Sequence, residues 1–110
     1  MEKYDLYING KWEKPSSGAY FDSDNPYSGE IWAQIARGND RDVDFAVKVA
    51  RHAFEDHWEP MKPTEKGKIL VRLAELIERE APRLGAIEVK DNGKLFAEMG
   101  AQTKYLAEWY

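Results

Sequence analysis

The sequence predicts an α+β fold: a short strand region followed by about four helices. Three observations carry that expectation. An Asn-Gly pair lies between apolar-aromatic runs near the start, which is the strongest local hairpin signal. From residue 38 onward, apolar residues recur at helical spacing. The hydrophobic share of 43% is that of a folded chain, although a third of the residues are charged. At 110 residues there is room for one core and not for two. Residues 1–37 thus read as strands and turns, and 38–110 as helices.

In the strand region, Leu6-Tyr7-Ile8 and Lys11-Trp12-Glu13 flank Asn9-Gly10, because both central residues of a type I′ turn need positive φ. Pro15-Ser16-Ser17-Gly18 reads as a loop and Tyr20-Phe21 as the start of a second extended segment. Asn25-Pro26-Tyr27-Ser28-Gly29 then turns the chain. Glu30 to Ala36 alternates at period two, as a half-buried strand does.

Asn39 is a good N-cap for the first helix, with Asp40 and Asp42 complementing the helix dipole. Its apolar stripe runs through Val43, Ala46, Val47, Ala50, Ala53 and Phe54. Pro60 and Pro63 close the following linker, and Thr64 is expected to cap a second helix built on Ile69, Leu70, Leu73, Ala74, Leu76 and Ile77. Pro82 suits the first position of a third helix, which Gly93 can end in the left-handed region. A fourth helix begins near Leu95 and carries Met99, Tyr105, Leu106 and Trp109. The chain closes on Glu108-Trp109-Tyr110 without Gly, Pro or a polar tail, the ending expected of a segment cut from a longer protein.

Composition excludes several classes of function. A net charge of −4 without a basic stripe argues against nucleic acid, whose binding is dominated by phosphate. No apolar run spans a bilayer or forms a signal peptide, so a cytoplasmic location is expected. With no cysteine, disulfides, thiolate-ligated zinc and a thiol nucleophile are absent from these residues. Neither glycine-rich phosphate-loop pattern occurs.

The candidate chemical groups each have a plainer reading. His52 and His57, with Glu55, Asp56 and Glu59, could suggest a metal site, but five residues is a poor spacing for one α-helical face, and solvated histidines fit better. Asp40, Asp42 and Asp44, and Glu75, Glu78 and Glu80, read as solvated polar faces rather than acid–base pairs. Asp91-Asn92-Gly93-Lys94 is either a helix C-cap or a ligand-contacting loop. Tyr105, Trp109 and Tyr110 are either core or a ligand stripe, with core the expectation at helical spacing.

The order of segments resembles the N-terminal part of the NAD(P)-dependent aldehyde dehydrogenase family. The matching pieces are Leu6-Tyr7-Ile8-Asn9-Gly10-Lys11-Trp12, Asn25 to Ile31, Asp42 to Val47 with Ala50 and Ala53-Phe54, Arg72 to Arg79, and Glu88 with Asp91-Asn92-Gly93-Lys94. Glu98 follows, before an aromatic-rich helix. Each piece is weak alone; their colinear order is specific. One departure is Leu95, where the family usually has proline.

The resemblance implies oxidation of an aldehyde to a carboxylic acid with NAD or NADP. In the family a Cys thiolate attacks, a Glu activates water, and an Asn amide with a backbone N–H holds the oxyanion. None of these can be placed on this chain, which by resemblance forms the outer part of an α/β, Rossmann-like cofactor domain and carries no catalytic or cofactor-binding residue. Two partial sites are implied. A monovalent cation, Na⁺ or K⁺, would take backbone carbonyls of Ser23 and Asp24 and the carboxylate of Asp91. A substrate tunnel would be lined from the fourth helix by Ala101 and Tyr105, four residues apart and so on one face. The implied partners are an aldehyde substrate and further copies in a homodimer or homotetramer. The aromatic excess would then pack on further sequence, leaving an apolar patch on this segment alone. The rival reading is a self-contained, non-enzymatic α+β interaction module.

Overall fold

The computed structural model describes all residues, Met1–Tyr110, and confirms strands followed by helices, although the helices number three rather than four. The chain divides into two compact units, residues 1–24 with 31–61 and residues 25–30 with 62–110.

The first unit holds β1 (Glu2–Tyr4), β2 (Leu6–Ile8), β3 (Lys11–Glu13), β4 (Tyr20–Asp24), β5 (Ile31–Ala36) and α1 (Asp40–Ala53). The β2–β3 hairpin forms as expected, with Asn9 at φ 55° and Gly10 at φ 73°, and pairs Tyr7 with Trp12. Strand β5 is the centre of a separate sheet ordered β1-β5-β4, parallel to β1 and antiparallel to β4. Strand β1 escapes sequence reading because Glu2-Lys3-Tyr4 is short and polar, and its partner, β5, lies some thirty residues away. Central placement explains why Ala33 is fully buried rather than merely on one side of an alternating strand. At the end of β4 the register shifts between Ser23 and Asp24.

Helix α1 begins as its sequence indicates. Asn39 accepts from the Asp42 amide at 3.1 Å, and the Asp42 carboxylate accepts from the Asn39 amide at 3.0 Å, a reciprocal capping box. The same carboxylate accepts from the Ser16 amide at 3.0 Å, tying the Pro15–Gly18 loop to the helix. Asp42 is thus buried, not part of a solvated acidic face. These amides, first that of Asn39, hold its carboxyl below the ordinary carboxylate range. The apolar stripe of α1 stays largely exposed, with Val43, Val47 and Phe54 all on the surface. A π-helical turn, Phe54–Trp58, continues the helix, with the Glu59 amide donating to the Phe54 carbonyl at 2.7 Å.

The second unit is a helical hairpin with the Asn25–Glu30 turn. Helix α2 runs unbroken over Pro63–Asn92, so the expected second and third helices are one. Pro63, not Thr64, sets its start: the fixed proline φ suits the first turn, and the cap residue Lys62 makes no side-chain bond. Pro82 lies inside the helix, although an interior proline removes a backbone bond and costs about 3 kcal/mol. Tertiary packing on both sides of it offsets that cost, since Ala81 and Gly85 are buried in this unit.

Helix α2 ends at Gly93 with φ 72°, the left-handed cap expected there. Helix α3 (Phe96–Tyr105) folds back on α2, followed by a 3₁₀ turn over Leu106–Trp109. A Cβ on Gly85 would lie 3.4 Å from both the Met99 carbonyl and Thr103 Oγ1, so the missing side chain permits the close approach of α3. Thr103, buried at the same place, donates to the Met99 carbonyl at 2.6 Å and leaves no hydroxyl unsatisfied. Leu95, in place of the usual proline, has φ −63°, the value a proline ring imposes, so the departure leaves the entry to α3 intact.

Candidate functional site

The α2–α3 hairpin of the second unit creates a hollow of about 600 Å³. Val71, Ala74, Glu75 and Glu78 follow three- and four-residue steps and so share one face of α2. Ala101, Lys104 and Tyr105 face them from α3, and Glu108 and Tyr110 follow at the end of the chain. The two residues expected to line a tunnel, Ala101 and Tyr105, therefore border one hollow. Tyr105 meets Trp109 edge-on at 6.2 Å between ring centroids, which orients the phenol.

The acidic lining groups escape sequence reading. Glu75 and Glu78 are expected opposite the apolar stripe, but that stripe omits Val71, whose spacing to Ala74, Glu75 and Glu78 is the available signal. Their neighbour Glu80 lies elsewhere on α2, held below the ordinary carboxyl range first by Arg83 and then by Arg79. Tyr105, Trp109 and Tyr110 are not core in this chain: each is more than half exposed.

The expected cation ligands are distributed over both units. Ser23 and Asp24 close β4 in the first, at the register shift, where bulged backbone leaves the regular ladder. Asp91 lies in the last turn of α2 in the second. In that unit the Asn25 turn is closed by its own bonds, Gly29 amide to Asn25 carbonyl at 2.7 Å and Tyr27 amide to Asn25 Oδ1 at 2.9 Å. Gly93 packs directly on Pro26 of this turn.

His52 and His57 are exposed, and together with Asn9 and Asp56 they border a small hollow of about 160 Å³. The π-helical turn between them brings this five-residue spacing to one side, which α-helical counting does not anticipate. No cluster of three metal-ligating side chains forms.

Gly10, Gly18, Gly29 and Gly93 serve isolated turns at positive φ. The N-terminus of α1, where a phosphate could sit, is already filled by the Asp42 carboxylate. No helix is long and apolar enough to cross a membrane.

Comparison with known proteins agrees with this architecture. The sequence model of the aldehyde dehydrogenase family matches residues 12–110. A (Z)-2-((N-methylformamido)methylene)-5-hydroxybutyrolactone dehydrogenase of Acinetobacter baylyi is 44% identical over all of this chain and 22% of its own length. Among solved structures, HpcC of Thermus thermophilus superposes with a TM-score of 0.93 at 36% identity, over 97% of this chain and 21% of that one. An NAD-dependent aldehyde dehydrogenase of Sinorhizobium meliloti gives 0.92 at 28% identity, over 97% and 22%. The chain belongs to the aldehyde dehydrogenase family. It spans about a fifth of the length of the relatives it matches.

Proposed function

We propose that these residues form the outer layer of the cofactor domain of a cytoplasmic NAD(P)-dependent aldehyde dehydrogenase, and one wall of its substrate tunnel. The observation that carries this reading is that Ala101 and Tyr105 border a single hollow between α2 and α3. The reaction takes an aldehyde, water and NAD(P)⁺ to a carboxylate, NAD(P)H and two protons. The bound nicotinamide supplies the hydride acceptor. The groups that attack the carbonyl and activate water lie outside these residues, which contain no cysteine. The contribution of this segment is to hold and orient the substrate's alkyl or aryl portion, a role that acts on rate through positioning.

The reading extends to a homodimer or homotetramer. It also extends to a monovalent cation: the carbonyls of Ser23 and Asp24 and the carboxylate of Asp91 are hard oxygen donors of the kind Na⁺ or K⁺ takes.

The test is steady-state kinetics on the family-length polypeptide. Ala101→Trp should raise KM for a bulky aromatic aldehyde about tenfold, by filling space the substrate needs, with a smaller effect on acetaldehyde. An unchanged KM for both would remove Ala101 from the tunnel wall.

A further inference from the structure

We propose that Asn9 is a site of spontaneous covalent modification. Its side-chain amide cyclises with the Gly10 amide nitrogen, the imidazoles of His52 and His57 carry the protons, and water opens the ring to aspartate or isoaspartate.

Asparagine followed by glycine suits this reaction, because a residue without Cβ leaves the attacking nitrogen unshielded and its peptide free to turn. The chain contains two such pairs, Asn9-Gly10 and Asn92-Gly93. They stand in opposite surroundings. At the second pair the Gly93 amide donates to the Val89 carbonyl at 3.0 Å. Asn92 Nδ2 donates to Glu88 Oε1 at 3.3 Å, and Asn92 Oδ1 accepts from the Lys94 amide at 2.9 Å. Pro26 crowds Gly93 as well. Cyclisation there requires the end of α2 to come apart.

The first pair is not tied in this way. Asn9 and Gly10 are the exposed central residues of the β2–β3 turn, at φ 55° and 73°. Neither the Asn9 side chain nor the Gly10 amide makes a hydrogen bond. A Cβ on Gly10 would meet nothing within 4 Å. The turn can therefore open locally and bring the Gly10 nitrogen to Asn9 Cγ without disturbing a core.

In the first step the Gly10 nitrogen bonds to Asn9 Cγ and loses its proton, while the Cγ–Nδ2 bond breaks and the amide nitrogen takes a proton and leaves as ammonia. Water then cleaves the succinimide. Attack at Cγ gives aspartate, and attack at the backbone carbonyl gives isoaspartate, whose main chain runs through the side chain. No oxidant or reductant takes part. Both proton transfers are slow without help, and imidazole is the side chain suited to giving and taking protons near neutrality. His52 and His57, with Asp56, border the same hollow as Asn9. The π-helical turn that brings the two histidines to one side thus places them beside the reacting amide.

The experiment incubates the family-length polypeptide in warm neutral buffer and follows conversion of amide to acid by mass spectrometry of two tryptic peptides, residues 4–11 and 91–94. In the folded protein Asn9 should convert about tenfold faster than Asn92, whose bonds must first be opened. In urea, where both pairs are exposed dipeptides, the two rates should converge. His52→Gln with His57→Gln should slow Asn9 about fivefold in the folded protein and leave its rate in urea unchanged. Imidazole added to the buffer should restore the folded variant's rate, which a merely structural role for the histidines would not allow. Equal rates at Asn9 and Asn92 in the folded protein, or an Asn9 rate indifferent to the histidine pair, would overturn the assignment.

Discussion

Gly93 and Pro26 meet so closely that a methyl group on the glycine would lie 3.1 Å from the proline Cβ. The glycine is also in the left-handed region, at φ 72°, where it ends α2. One residue therefore meets two demands, a helix stop and a seat for the Asn25 turn, and only the absence of a side chain satisfies both.

Gly93→Ala should accordingly destabilise the protein by about 1–2 kcal/mol from backbone strain, with crowding against Pro26 adding to it. Urea unfolding measures the loss. In a Pro26→Gly background, which removes the facing Cβ, the same substitution should cost less. Equal costs in the two backgrounds would mean that the contact is not felt.

Asp42 links acid stability to the α1 cap. Its folded pKa lies below its ordinary value of 3.8, chiefly because the Asn39 amide donates to the carboxylate and the Ser16 amide adds to it. A depressed carboxyl stabilises the fold fully above the unfolded value, and loses that contribution as pH falls through the lower folded value. The wild type should therefore lose stability more steeply than Asp42→Asn as pH falls below that ordinary value. Urea midpoints across that range decide it; parallel curves would detach Asp42 from the acid transition.

Asp91 tests the cation reading. If its carboxylate helps to hold a monovalent ion, the family-length enzyme should differ in thermal midpoint between NaCl and KCl, and Asp91→Ala should abolish the difference. A difference of the same size in the variant would assign the salt effect elsewhere.

The signals legible in the sequence are those with short-range physics. Asn9-Gly10, the Asn39 cap, the Asn25 turn and Gly93 each specify a backbone conformation through one or two residues, and each is found in the structure. Strand β1 does not announce itself, because three polar residues gain their structure only from pairing with distant β5. Pro82 carries a true local signal that loses to tertiary packing, since buried Ala81 and Gly85 hold the helix through it. The hollow follows the same division. That Ala101 and Tyr105 share one face of their helix follows from their four-residue spacing. The acids opposite them are not legible, because their place depends on which face of a thirty-residue helix α3 covers. The exposed Tyr105, Leu106 and Trp109 agree with the expectation of an apolar patch on this segment.

The most direct measurement follows aldehyde-dependent formation of NAD(P)H by these 110 residues alone and by a family-length polypeptide that contains them. Turnover is expected from the long polypeptide and none from the short chain. Genuine turnover by the short chain, or a well-folded long polypeptide inert toward every aldehyde and both cofactors, would contradict a segment that shapes the substrate's path while the chemistry is performed elsewhere.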